Sequence, residues 1–306
     1  DNSGAIRVMI RLGQVNSSNQ AGLTAPQDTP SRINTIPNST RDGEMWTLSV
    51  GISQYQQTSD NGLGNLNFAA EDAHAIATTL LSKGMSQDHL YQLTDDQATL
   101  RNVKIAVQSW LSKAGPNDTI VMFWSGHGFV DPEDPEKVYF ACYDTDPNIP
   151  ATGYRMDRLR LDLEEHGARN VVVFADTCHA GKLVTRDGEK AIGVSPYVKK
   201  MEREASVPKG WVFMVGADTD RQAIEHTSWK HGAFTHCLLQ AMRGEADGYQ
   251  SAGPKDGRVT LGEIRAYMTT AMPDQTQRVL GVAKHPIIAT STGDRNIWNL
   301  TLDSAE

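Results

Sequence analysis

The stretch "VMFWSGHGFV", residues 121–130, decides how the chain is read. It begins as an unbroken apolar run and ends on a histidine, His127, held between Gly126 and Gly128. Half-exposed strands alternate apolar and polar residues, and this run does not. Continuous apolar runs of this length fit strands buried on both faces, which belong to a mainly parallel sheet covered by helices. "MWTLSVGI" from Met45, "RNVVVFAD" from Arg169 and "GWVFMVGA" from Gly210 read the same way.

Amphipathic segments lie between these runs. In "LNFAAEDAHAIATTLLSKG", Leu66, Ala69, Ala73, Ile76, Ala77 and Leu80 fall on one helical face, and Gly84 supplies a stop. "TLRNVKIAVQSWLSKAG", stopped by Gly115, then "RMDRLRLDLEEHG", "GAFTHCLLQAM" and "TLGEIRAYMTTAM", repeat the pattern. Strands alternating with helices predict an α/β fold with right-handed crossovers. Open α/β sheets bind ligands beyond the carboxyl ends of their strands. His127 follows "DTIVMFW", Cys178 follows "RNVVVFAD", and Asp72 lies early in the helix after "MWTLSVGI". All three are expected at one edge of the sheet. The glycines beside His127 let another backbone or a substrate approach closely.

Bulk properties set the limits. The chain has 306 residues, 39% apolar and 22% charged, which is ample for a globular core. Its 29 basic against 37 acidic side chains give a net charge of −8, which argues against nucleic acid as partner. No apolar run is long enough to span a bilayer, and no membrane partner is expected. Cys142, Cys178 and Cys237 are an odd set that predicts no disulfide framework, and points to a reducing, cytoplasmic compartment. Residues 1–44 read as one strand, "AIRVMIRL", and a Ser/Asn/Pro-rich linker. The first residue is Asp, so an upstream domain or regulatory partner is expected.

The chemistry centres on Cys178 in "FADTCHAGK". A thiolate beside an imidazole is a nucleophile, and the imidazole can then protonate a leaving amine. The backbone N–H groups of Gly128 and Cys178 are candidate oxyanion donors. A serine elbow is excluded because Phe123 stands where Gly-x-Ser-x-Gly needs its first glycine. Zinc would need further Cys or His at ligand spacing. Asp176 precedes Cys178 by two residues, and Asp72 borders the apolar face of its helix. Two carboxylates beside a nucleophile suit a Lys or Arg side chain of a substrate. The structural alternatives are helix-dipole compensation for Asp72 and turn stabilisation for Asp176. Asp218 and Asp220 are secondary candidates. Cys142 and Cys237 read as structural thiols.

On "FWSGHG", "ADTCHAG", "LNFAAEDAHAIATTL" and "GADTDRQAIEH" with "HGAFTHCLLQAM", the chain from Met45 onward resembles the caspase-like cysteine peptidases. It is more similar to the metacaspase and bacterial orthocaspase branch than to animal caspases. Those carry Gln-Ala-Cys where this chain has Asp176-Thr177-Cys178. The resemblance implies a caspase-like (caspase–hemoglobinase) fold in residues 45–306. It divides them into a large-subunit-like part (45–181), a basic linker (182–209) and a small-subunit-like part (210–306). It implies His127 and Cys178 as the dyad, Asp72 and Asp176 in an acidic pocket, and a protein or peptide substrate cut after Arg or Lys. Self-cleavage is implied at basic residues of the linker, which are Lys182, Arg186, Lys190, Lys199, Lys200, Arg203 and Lys209, or at Arg32 and Arg41. Some relatives use calcium, and Asp131, Glu133, Asp134, Asp144, Asp146 and Asp187 lie in loops here. They form no EF-hand pattern, so no cofactor is assigned. A non-catalytic scaffold and an acyltransferase are the competing readings.

Overall fold

A computed structural model describes residues 43–58, 63–134, 136–179, 184–185, 188–189, 194–216 and 225–303. At 178–179, 184–185 and 188–189 it describes the backbone alone. The expected N-terminal strand and linker, with Arg32 and Arg41, therefore lie outside the described residues.

The first half of the domain runs β1 (Met45–Gly51), α1 (Ala69–Ser82), β2 (Leu90–Thr94), α2 (Leu100–Ile105), β3 (Thr119–Val130), β4 (Val138–Phe140), β5 (Tyr154–Arg155), α3 (Met156–Glu164) and β6 (Asn170–His179). A small ribbon follows, β7 (Val184–Thr185) with β8 (Gly188–Glu189). The second half holds α4 (Ser195–Arg203), β9 (Trp211–Val215), the hairpin β10 (Glu225–His226) and β11 (His231–Gly232), α5 (Ala233–Gln240), α6 (Leu261–Leu280) and β12 (Ile287–Thr290).

The main sheet has the order β12-β9-β6-β3-β1-β2. Every pairing from β9 across to β2 is parallel, and β12 joins β9 antiparallel. The short β4 and β5 extend it antiparallel from the far end of β3. The four apolar runs are thus β1, β3, β6 and β9, as their lack of alternation predicts.

Period two sorts their side chains into two cores. Ile120, Met122 and Trp124 of β3, with Val171, Val173 and Ala175 of β6, pack beneath α2, α3 and α4 through Val103, Leu159 and Val198. Val121 and Phe123, with Val172 and Phe174, pack beneath α1, α5 and α6 through Ile76, Leu238 and Met268. Three layers result, helices on both faces of one sheet. Trp124 is fully buried and stacks on Phe140 at 4.5 Å, so it anchors β3 just before Ser125. Truncating such a residue costs about 3–5 kcal/mol.

Helix limits follow local chemistry. The Thr99 hydroxyl caps α2 by accepting from the Asn102 N–H. Thr260 and Glu263 form a capping box on α6, and Gly281, left-handed at φ 73°, closes it. That helix runs through Pro273, beyond the "TLGEIRAYMTTAM" read from sequence. The stretch expected as a linker is partly folded: α4 buries Val198 and Met201. No helix among the described residues is long and apolar enough to cross a membrane.

Candidate active site

The two central strands overrun their neighbours. β1 accompanies β3 only to the pair Gly51–Ser125, and β9 accompanies β6 only to Val215–Ala175. β3 and β6 continue together through Ser125–Asp176, His127–Cys178 and Gly128–His179. Sequence reading expected His127 and Cys178 just past their strand ends; they lie within the strands instead, past the ends of the flanking ones. The cause is β4, which pairs with Gly128–Val130 and keeps that half of β3 extended. The register still delivers the two residues side by side at the carboxyl edge. Gly128 sits between Phe140 of β4 and His179 of β6.

His127 is 3% exposed and is gripped twice by the loop joining β1 to α1. Its backbone N–H donates to the Tyr55 hydroxyl at 2.8 Å, and the two rings lie 5.0 Å apart. Its Nε2 lies 2.7 Å from the Gly64 carbonyl oxygen. A carbonyl only accepts, so Nε2 carries a proton and Nδ1 is the nitrogen that can take up another. Gly126 makes the first grip possible. At φ 157° it is outside ordinary side-chain territory, and a Cβ there would stand 2.9 Å from the Tyr55 hydroxyl. The group that comes close to Gly126 is thus a side chain, that of Tyr55, where the sequence suggested a backbone or a substrate.

The carboxylates meet on the α1 and α5 side. Asp72, 1% exposed, accepts through Oδ2 from the Ser125 hydroxyl (2.9 Å) and the Gly232 N–H (3.3 Å). Its Oδ1 lies 2.7 Å from His231 Nδ1. Asp176 accepts through Oδ2 from the Thr235 N–H (2.9 Å) and hydroxyl (2.7 Å). Thr235 is the third residue of α5, so Asp176 satisfies one orphan donor of that helix from outside. Its Oδ1 takes no hydrogen bond from the described residues. Gly232 lies between the pair: a Cβ there would stand 2.2 Å from Asp176 Oδ2.

Burial raises both acids. Asp176 is pushed up to about 7, first by desolvation and then by the negative charge of Asp72, against the pull of the Thr235 bonds. Asp72 is raised by desolvation, which its bonds to His231, Ser125 and Gly232 partly offset. Asp72 lies in the first turn of α1, where the helix dipole favours an acid, while its oxygens bond to β3 and β11. Asp176, read in the structural alternative as stabilising a turn, instead lies in β6 and accepts from the third residue of α5.

Other expectations sort as follows. Cys142 and Cys237 are buried thiols, the first pushed far up and the second up to about 12, both chiefly by desolvation. Asp218, Asp220, Asp187 and the side chain of Cys178 lie outside the described residues. The acidic loops serve turns and caps: Asp144 accepts from the Leu100 N–H, Asp146 from Asn148, and Asp131 from Glu133. Among the described residues no three His, Cys, Asp or Glu gather to hold a metal. Sequence reasoning missed Ser125, His231, Thr235, Tyr55 and Gly64. Ser125 was legible, two residues before His127 as Asp176 is before Cys178. The others arrive through contacts remote in sequence and carry no local signal.

The family model for the caspase domain matches residues 45–292. Metacaspase-1 of Candida albicans is 27% identical over 161 residues, which cover 46% of this chain and 34% of that protein. Metacaspase-1 of Saccharomyces cerevisiae is 30% identical over 209 residues, covering 64% of this chain and 45% of that protein. The chain thus spans less than half the length of these curated relatives. A crystal structure of a protein from Geobacter sulfurreducens, at 17% identity, covers 84% of this chain and 97% of its own with a TM-score of 0.56, a likeness of fold.

Proposed function

The chain belongs to the caspase-domain family of cysteine peptidases, and on that premise we propose that it is an endopeptidase cleaving after Arg or Lys. The observation that carries this reading is the convergence of two buried carboxylates, Asp72 and Asp176, at the strand pair Ser125–Asp176, two residues before His127–Cys178 on the same ladder. Two buried acids side by side are costly, and one substrate cation is their natural complement.

The mechanism follows from the protonated Nε2 of His127. Nδ1 takes the Cys178 proton, and the thiolate attacks the carbonyl carbon of the P1 residue, the one preceding the cut bond. Negative charge moves to the carbonyl oxygen, where the N–H groups of Gly128 and Cys178 donate to it. As the C–N bond breaks, Nδ1 returns its proton to the departing amine. Water, deprotonated by Nδ1, then cleaves the thioester and restores the thiol. Asp72 and Asp176 form the S1 pocket that receives the P1 side chain.

Self-cleavage is part of the proposal. Protease sites take extended chain, whereas Lys199, Lys200 and Arg203 are held in α4, with Lys200 paired to Glu136. The bonds after Lys182, Arg186 and Lys190 are the better candidates in the linker, and they lie outside the described residues.

Matched fluorogenic peptides with Arg, Lys or Asp at P1 test the reading, comparing the parent chain with Cys178→Ala. Hydrolysis after Arg or Lys that disappears in the variant is the expected result. Cleavage only after Asp would retain the dyad and overturn the acidic pocket. No cleavage of any peptide would favour a non-catalytic scaffold.

A further inference from the structure

Building on the S1 assignment above, we propose that His231 is a specificity-determining residue that holds down selection of Arg over Lys at P1 by occupying the oxygen a guanidinium needs. A guanidinium binds a carboxylate best as a fork, two parallel N–H groups on the two oxygens of one acid. Neither acid of this pocket offers both. On Asp176, Oδ2 already accepts twice from Thr235. On Asp72, Oδ1 is engaged by His231 at 2.7 Å and Oδ2 by Ser125 and Gly232.

Among the described residues, what remains open is a single oxygen, Asp176 Oδ1, beside a rotatable Ser125 hydroxyl. An ammonium is a compact charge with three rotatable donors, and single acceptors satisfy it. A guanidinium in the same place keeps at least one arm of its fork unmatched, or displaces the imidazole. His231 is half-shielded rather than core, with its side chain 17% exposed, and it reaches Asp72 from β11 on the hairpin. Removing the imidazole frees Oδ1. The weak 3.3 Å bond from Gly232 and the turning Ser125 hydroxyl then leave Oδ2 able to complete a fork.

The test compares kcat/KM for matched P1-Arg and P1-Lys peptides in the parent, His231→Ala and His231→Gln. One additional charge-assisted bond to Arg raises the Arg-to-Lys ratio about tenfold in the alanine variant. Gln keeps an amide N–H for Oδ1, so it retains the parental ratio. A general loss of structure lowers both substrates together and leaves the ratio alone. His231→Leu, which fills space without donating, serves if alanine destabilises the pocket. The same ratio is read as Kd for uncleaved peptides on a Cys178→Ala background, which needs no turnover. An unchanged ratio in Ala and Leu, or an equal rise in Gln, overturns the assignment of His231. Failure of the underlying S1 reading looks different: Asp72→Asn and Asp176→Asn would leave binding of basic peptides undiminished.

Discussion

Replacing Asp176 with asparagine separates the charge of the pocket from its shape. The amide oxygen still accepts from Thr235, so the cap on α5 survives. What disappears is a carboxyl raised to about 7 in the fold from an ordinary 3.8. The folded protein holds that proton more tightly than the unfolded chain. Its contribution to stability is therefore full below the unfolded value and is lost as pH rises towards and through the folded value. Between about pH 5 and pH 8 the parent loses roughly 3 kcal/mol from Asp176. The amide of Asp176→Asn does not titrate, so the variant gains on the parent by the same amount as pH rises. In a domain of this size that is about 6 °C of relative Tm, or the matching change in urea midpoint at constant m. Because Asp72 and Asp176 repel, the result is a property of the pair, and Asp72→Asn is the companion measurement. Urea titrations of parent and variant across this pH range suffice. A difference in stability that stays flat from acid to alkaline pH would refute the buried-carboxylate argument, whatever happens to activity.

Two further substitutions probe the supports. Tyr55→Phe deletes the acceptor for the His127 N–H and leaves a buried donor unpaired, at a cost of about 1–3 kcal/mol. Chemical denaturation should register that loss, and kcat should fall with little change in KM, because His127 and not the S1 pocket shifts. Gly232→Ala drives a methyl against Asp176 and should lower kcat/KM mainly through KM for basic peptides. Equal KM values in parent and variant would show that Gly232 does not shape the pocket.

How much was legible depends on the range of the signal. β1, β3, β6 and β9 were readable because strands buried on both faces write continuous apolar runs. β2, β4, β5 and β12 were not: "LYQLT" is partly exposed, β4 and β5 are three residues or fewer, and β12 is a short edge strand. Asp72 and Asp176 could be nominated because helical phase and strand alternation are local rules. The partners that hold their oxygens could not, since His231 lies 159 positions from Asp72 and Thr235 lies 59 from Asp176. α4 was hidden by composition. Its lysines and arginine read as linker, while the apolar residues that pin it, Val198 and Met201, are too few to make a pattern.

The ladder between β6 and β9 joins chain lying before the basic stretch to chain lying after it. It runs over five residue pairs, and β12 then secures β9 over four more. Glu225 adds a clasp, accepting from the backbone of Asn67 and Phe68 at the mouth of α1. Chain lying before the basic stretch and chain lying after it are thus tied by these bonds as well as through the stretch itself, so a cut within it would release two new chain ends that these bonds still span.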